Sequence, residues 1–390
     1  MLFRSSQGYM QTDKNNYFAD TTGGTWQMKE LAFNISKELT HRLRIGMQLV
    51  AYDLGDIGNN DVSLDWGYAD YRWKSYLGFR VGKMKLSIGL YNETRDIDVV
   101  RTNIFVTPAV YNTSLRDAVL AGDGLAIYGY VPLSVFGNLS YQVMSGFMNI
   151  AGNNSSGKYI SSIGILECES IHVKDVLMLQ GFWELPLIEG LVLGYGNVNA
   201  TIDINGKSND FILYKLWGAT SGYDAIYHLR PYGVEVFSLE YTIGDLIITG
   251  ELSKTQASRK IELINPPPTA GLIPGYPHPY FMKDPSMGWY GSFSYRLLDY
   301  YQFELCYSEY YLYEKDKSGW DNLKLGKIKK RFCAWQKDLT FSNRFDINEN
   351  WLFKFEIHSI DGTAFVMNID NPDGYESSDR YWFLFAAKMT

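Results

Sequence analysis

Stretches with a period of two, joined by connections that alternate strictly between very short and long, limit this chain to few folds. Successive side chains on a strand point to opposite faces, and the dominant period is two rather than 3.6. Leu43, Ile45, Met47, Leu49 and Ala51 alternate with Arg44, Gly46, Gln48, Val50 and Tyr52. Leu31, Phe33 and Ile35 alternate with Glu30, Ala32, Asn34 and Ser36, and Trp351, Phe353, Phe355 and Ile357 with Leu352, Lys354, Glu356 and His358. A soluble sandwich shows the same alternation, so the connections must decide. Short ones lie near 39–41, 75–76, 134–135, 188–189, 244, 298–299 and 348–350. Long polar ones lie near 13–25, 54–61, 88–121, 149–175, 205–227, 263–284, 316–328 and 367–377. A sandwich has no reason to sort its loops by length. A barrel that crosses an outer membrane does, with tight periplasmic turns and long extracellular loops. Seven short-turn hairpins, one strand near 4–12 and one near 378–390 give about 16 strands. The expectation is an all-β fold, one transmembrane antiparallel β-barrel over 1–390, with both termini periplasmic and an aqueous lumen. The stretch Asp210–Trp217 is where one further strand would hide.

Composition supports the same reading. Aromatic residues are 16% of the chain, 30 of them Tyr, while charged residues are 20%. That mixture suits a wall with one apolar face, one wet face and Tyr/Trp belts at the membrane boundaries. No run of 18 apolar residues exists, so a closed barrel is the remaining way to cross a bilayer with every backbone group paired. A net charge of −7 and the lack of any basic helix argue against nucleic acid as a partner. Cys168, Cys306 and Cys333 are too far apart for a disulfide framework or a zinc site. Met1-Leu2-Phe3-Arg4 is too short for a signal peptide, so a mature or re-engineered form is expected.

The connection 88–121 is the longest. Loops of that length are uncommon and usually functional. Ile104, Phe105, Val106, Val110, Leu115, Val119 and Leu120 need something to pack on. Folding into the barrel would supply it and turn the loop's charges toward the channel; packing on neighbouring external loops is the other possibility. Arg42, Arg44, Arg72, Lys74 and Arg80 are expected to face the lumen, with Lys83 and Lys85 beside them. Glu30, Asp65 and Asp70 are the nearby strand acids, and Glu93, Asp96 and Asp98 the loop acids. A basic wall facing loop carboxylates would set up a transverse field, and lumen charges tune selectivity. Arg101 belongs to the expected constriction. Arg95, Asp96, Arg116 and Asp117 could instead be structural pairs holding the loop down. The alternation slips past Tyr68, where a bulge is needed.

Phe79-Arg80-Val81-Gly82-Lys83 followed by Gly89-Leu90-Tyr91-Asn92-Glu93-Thr94-Arg95-Asp96 resembles the strand-to-loop junction of bacterial outer-membrane porins similar to the phosphate-selective porins O and P. The resemblance implies a basic ladder and a third external loop, here 88–121, shaping the constriction. It is diffuse outside about 60–130, and the end Phe385-Ala386-Ala387-Lys388-Met389-Thr390 departs from the usual terminal aromatic, as if a few residues were missing. By analogy it implies a homotrimer, with outer-membrane lipid and lipopolysaccharide around it. The function expected is passive diffusion of small hydrophilic solutes or ions, with a preference for anions, no catalysis and no cofactor.

Other features carry less. Asp53, Asp56, Asn59 and Asp61 offer oxygen ligands in a Gly-containing turn, a weak calcium candidate without EF-hand spacing. The segment from Asn265-Pro266-Pro267-Pro268 to Pro279 reads as a stiff external loop. His41, His172, His228, His278 and His358 are scattered, and no serine-hydrolase elbow, P-loop or dinucleotide fingerprint occurs. Two alternative functions stay open. One is a sheath insulating a partner such as a multihaem cytochrome. The other is a barrel lipid hydrolase, which would need a Ser and a His brought together on the outer wall with an orienting Asn or Asp; a lumen-facing His358 speaks against it.

Overall fold

In a computed structural model of the chain, the described residues are 2–55, 58–116, 120–162, 166–208, 222–268, 270, 278–283, 285–367, 370–371 and 381–390. Asp210–Trp217, Asp56 and Asp117 fall outside them. The strands in chain order are β1 (Leu2–Thr12), β2 (Lys29–Glu38), β3 (Leu43–Asp53), β4 (Ser63–Lys74), β5 (Leu77–Lys85), β6 (Ala121–Pro132), β7 (Asn138–Ala151) and β8 (Leu166–Glu184). They continue as β9 (Leu191–Ser208), β10 (Asp224–Ile243), β11 (Leu246–Leu263), β12 in two segments (Tyr280–Lys283 and Ser286–Leu298), β13 (Tyr301–Tyr311), β14 (Trp335–Asp346), β15 (Leu352–Gly362) and β16 (Trp382–Met389). Both segments of β12 pair with β11 in one continuous register, so they form one strand of the wall.

Each strand pairs antiparallel with its neighbour in sequence. The first and last also pair, from Gln7↔Met389 to Thr12↔Leu384, which closes a barrel of 16 strands. Closure leaves no edge strand with unpaired backbone groups. The seven short connections sit at one end and the long ones at the other, in the order read from the sequence. The chain's ends lie at the short-turn end, where Leu2 pairs with Asn34 and Met389 with Phe353.

The alternation is chemical as well as geometric. Leu31, Ile45, Met47, Val81, Leu125, Phe147, Leu177, Phe237, Phe341, Phe353 and Ile357 are exposed on the outer wall. An apolar band this extensive marks a surface that faces lipid rather than water. No described helix is long and apolar enough to cross a membrane. The inner positions between these residues are mostly polar or buried. On β15, Lys354, Glu356 and His358 are buried beside the exposed Phe353 and Ile357, with the facing expected from the sequence.

The slip in β4 is resolved by two irregularities, one on each side of Tyr68. Gln48 pairs with Trp66 and Leu49 with Leu64, skipping Asp65. Arg72 pairs with Gly78 and Lys74 with Leu77, skipping Trp73. The first turns the Asp65 carboxylate inward, where it accepts from Gln48 Nε2 at 2.7 Å and pairs with Lys85 at 3.3 Å.

Strands β8 to β11 run 18–20 residues, against 8–14 for the others, counting the two segments of β12 separately and leaving aside its short first one. Their surplus rises at the long-connection end, and its chemistry is inverted. On β8 the outward residues change from Leu179 and Leu177 to Lys174, His172 and Glu167, while Val173, Ile171, Cys168 and Leu166 join an inner apolar cluster. A short helix, α1 (Ser155–Ser162), packs Ile160 into that cluster. This raised wall therefore has the pattern of a water-exposed sheet, whereas the lower wall has that of a lipid-exposed one.

Candidate functional site

The inward faces are occupied very differently around the barrel, because the segment between β5 and β6 bonds to many of them. Its first turn is held by β8 and β11. Gly89 N–H donates to Gln180 Oε1 at 2.9 Å and Leu90 N–H to Glu251 Oε1 at 2.9 Å. Glu251 also accepts from Tyr111 at 2.5 Å, Tyr290 at 2.8 Å and Ser238 at 2.6 Å. One buried carboxylate thus gathers the loop and three strands, and each charge-assisted bond is worth about 1.5–3 kcal/mol.

The middle of the segment is held by the opposite wall. Lys354 is fully buried, and its Nζ donates to the carbonyls of Asp98, Arg101 and Asn103 at 2.8, 2.9 and 2.8 Å. Asp98 accepts from Arg101 at 3.1 Å and Thr390 at 3.0 Å, and pairs with Lys388 at 2.8 Å. Arg344 donates to Val99 O at 2.5 Å, Glu356 accepts the Ile104 N–H, and Thr102 bonds Ser294 at 3.0 Å. Ile104 then packs with Tyr17, Phe18, Phe365, Val366 and Trp382, and Val106 with Tyr111 and Tyr290. Phe105 and Val110 pack against the same two clusters, whereas Val119 lies outside the described residues.

A second knot sits beside β5. Asp96 pairs with Lys85 and, at 2.6 Å, with Arg116; Arg116 reaches Glu30 at 3.4 Å, and Arg4 also holds Glu30. The Arg116 guanidinium stacks on Tyr52 at 4.5 Å. Burial pushes the Asp96 and Asp98 carboxyls up. Arg116 and Lys85 around Asp96, and Lys388, Arg101 and Lys354 around Asp98, outweigh it and hold both well below the usual carboxylate range.

Only part of the expected constriction is in contact with open space. Arg44, Arg72 and Lys74 are exposed. Arg80 pairs with Asp70 at 3.2 Å and Glu93 at 3.7 Å, lies 4.3 Å from the centre of the Tyr128 ring, and reaches Gln142 at 3.4 Å. Gly78 lets that ring lie flat beneath it, since a Cβ there would come within 2.4 Å of Tyr128. A cavity of about 390 Å³ opens here, lined by Arg72, Glu93, Tyr128, Gln142, Gln180 and Phe182 among others. Glu93 keeps 47% of its side chain exposed.

Several expectations need correction, and for Asp96 and Arg116 the alternative of a structural pair holding the loop is the one found. Asp96, Asp98 and Arg101 are not poised to set up a field across the lumen, because all three are buried and consumed in loop-anchoring pairs. Arg95 is likewise buried, donating to Tyr111 O at 3.1 Å and Thr113 at 3.0 Å. Lys85 and Arg116 are neutralised by Asp65, Asp96 and Glu30. Lys83 shares the outer face with the exposed Val81 and donates to Leu64 O. Lys74 lies at the short-turn rim against Trp73 and Tyr76, 5.3 and 5.5 Å from their ring centres. At the calcium candidate, Asp53 is buried and engaged by Lys29 at 3.5 Å and Asn60 at 3.2 Å. Among the described residues no three metal-ligating side chains converge there or elsewhere. The anchors Gln180, Glu251, Arg344, Lys354, Glu356 and Lys388 were not singled out as loop partners. Their only sequence signal is a charged or polar residue at an inward position.

No protein-family model and no curated protein matches the chain. Solved structures do. The outer-membrane channel DcaP of Acinetobacter baumannii aligns with a TM-score of 0.54 at 8% identity, over 99% of this chain and 96% of that one. OmpF of Salmonella typhi, in complex with daunomycin, aligns with a TM-score of 0.54 at 8% identity, over 100% and 97%. A trimer form of OmpT, an outer-membrane protein of Vibrio cholerae, aligns with a TM-score of 0.51 at 12% identity, over 99% and 98%. The chain has the closed 16-strand barrel fold of outer-membrane porin and channel structures.

Proposed function

We propose that this chain is a porin-type channel of a bacterial outer membrane, with the segment 86–120 narrowing its lumen, through which small hydrophilic solutes and ions diffuse passively. The observation that carries this reading is the asymmetric lumen. The segment is bonded to β8, β11 and β14–β16, and the cavity between it and β4–β8 is left lined by Arg72 and by Glu93, to which Arg80 is paired. A narrow passage with low-dielectric walls focuses the field of whatever charges remain unpaired in it. Among the described residues, Arg44 and Arg72 form no ion pair with a carboxylate, which favours a weak anion preference.

Phosphate selectivity does not follow. A phosphate trap needs several uncompensated cations, and Lys85, Arg101 and Arg116 are each matched by a carboxylate. The sheath reading meets a lumen already occupied by the chain's own loop. The short-turn end, with both termini, is assigned to the periplasm by the outer-membrane pattern of loop lengths. A homotrimer, embedded in lipid and lipopolysaccharide, fits the fold shared with the trimeric OmpT form. Stepwise conductance in a planar bilayer tests the channel directly; folded protein that gives no steps would overturn it.

A further inference from the structure

Outside the lumen, three strands bring together side chains that none of the channel reading uses. At the edge of the raised wall, β7, β8 and β9 place Asn149 opposite His172, and Ser170 opposite Asn205. The register between β8 and β9 skips Glu169, so that Ser170 and His172 share the outward face while Ile171 between them points into the inner apolar cluster. Bulges of this kind re-aim side chains and recur beside active sites. Ser170 Oγ lies 3.3 Å from His172 Nε2, and His172 Nδ1 lies 2.8 Å from Asn149 Oδ1. An amide oxygen can only accept, so the proton sits on Nδ1 and the Nε2 lone pair faces the serine hydroxyl. That is the tautomer and orientation a general base requires. Asn205 Nδ2 donates to Ser170 Oγ at 3.3 Å, which fixes the hydroxyl from the neighbouring strand.

The location gives the substrate class. Phe147, half-exposed on the outer wall, is the last large outward apolar residue of β7, and Asn149 lies two residues beyond it, about 7 Å along the strand. The trio therefore sits just past the apolar band, at the depth where the acyl esters of membrane lipids meet water. We propose that Ser170 and His172 form an interfacial ester-hydrolase site, with Asn149 as the positioning residue and membrane-lipid acyl esters as substrate.

The step balances without a metal or redox partner. Ser170 Oγ bonds to the acyl carbon as its proton passes to His172 Nε2. The ester C–O bond breaks, and that proton leaves with the alcohol. Water then attacks the acyl-serine, gives its proton to His172, and the carboxylic acid departs as Ser170 regains its hydrogen. His228, the other outward histidine of this wall, cannot serve. Both its ring nitrogens face carboxylates, Asp203 at 2.7 Å and Glu262 at 2.9 Å.

The test uses the folded full chain in phosphatidylethanolamine–phosphatidylglycerol vesicles, with released fatty acid measured by mass spectrometry. A fluorophosphonate probe reports the nucleophile by peptide mapping. The expected result is release above the vesicle blank and an adduct on Ser170. Ser170→Ala should abolish both, and His172→Gln should slow release by about 10²-fold or more. Asn149→Ala should lower turnover with a smaller change in KM, and Asn149→Asp should restore part of it. Release at the blank rate with no adduct on Ser170, from protein that still conducts, would overturn the proposal. So would release that survives Ser170→Ala. Conductance recorded on the same preparations separates failure of this site from failure of the channel reading, because none of these residues faces the lumen.

Discussion

The walls built by β14–β16 and by β3–β5 both carry charges inward, yet those charges meet opposite fates. On the first, Arg344, Lys354, Glu356 and Lys388 are covered by the loop and bonded to it, several through its backbone carbonyls and amides. On the second, Lys85 is likewise tied to the loop through Asp96, but Arg44 and Arg72 stay exposed to the lumen, and Arg80 is shared between Asp70 and Glu93. A charge on a lumen wall is therefore not by itself a selectivity element. Where a loop supplies enough polar partners to replace water, it is an anchor; where it does not, it acts on passing ions.

The largest effect should come from cutting an anchor. Lys354→Met leaves three loop carbonyls without their donor and Asp98 short of one cation, a change of the kind that costs about 3–5 kcal/mol. Chemical denaturation should show that loss, and single-channel steps should grow as the segment leaves its wall. Unchanged step size with unchanged stability would break the division between the walls. Removing an unpaired charge should do the reverse, altering ion preference without altering stability or step size.

Acid should reach the anchors late. Asp96 and Asp98 are held below the ordinary carboxylate range, so the stability they contribute is present above the unfolded-state value of about 3.9 and is lost as pH falls below it. Step size should be flat from neutral pH down to about 4 and change only below that. A change already complete by pH 6 would mean that other groups hold the loop. The smallest effect belongs to Lys83→Gln. Its outward side chain should leave reversal potential and conductance where they were, and any clear shift would show that β5 faces the lumen differently.

Most of the barrel was legible because its signal is local and repeated. Each strand advertises its own alternation, and each hairpin its own short turn. The slip near Tyr68 was visible for the same reason, as a break in a local pattern. The loop's docking was not, since it depends on pairs such as Lys354 with Asp98 O and Glu251 with Leu90, more than 150 positions apart. Asp96, Asp98 and Arg101 look, in sequence, like any acidic or basic loop residue. Only the partners that bury them turn them from channel charges into ties. The outward trio of Asn149, Ser170 and His172 was missed for a related reason. Its base and nucleophile lie on one strand, but the residue that orients the base comes from the strand beside it.

The distinction between a conducting wall and an anchoring wall is tested most directly by reversal potential across a salt gradient in the double variant Arg44→Glu, Arg72→Glu. The expected result is a shift toward cations, with step size and stability close to those of the unaltered protein. An unchanged reversal potential from a protein that still conducts would contradict it.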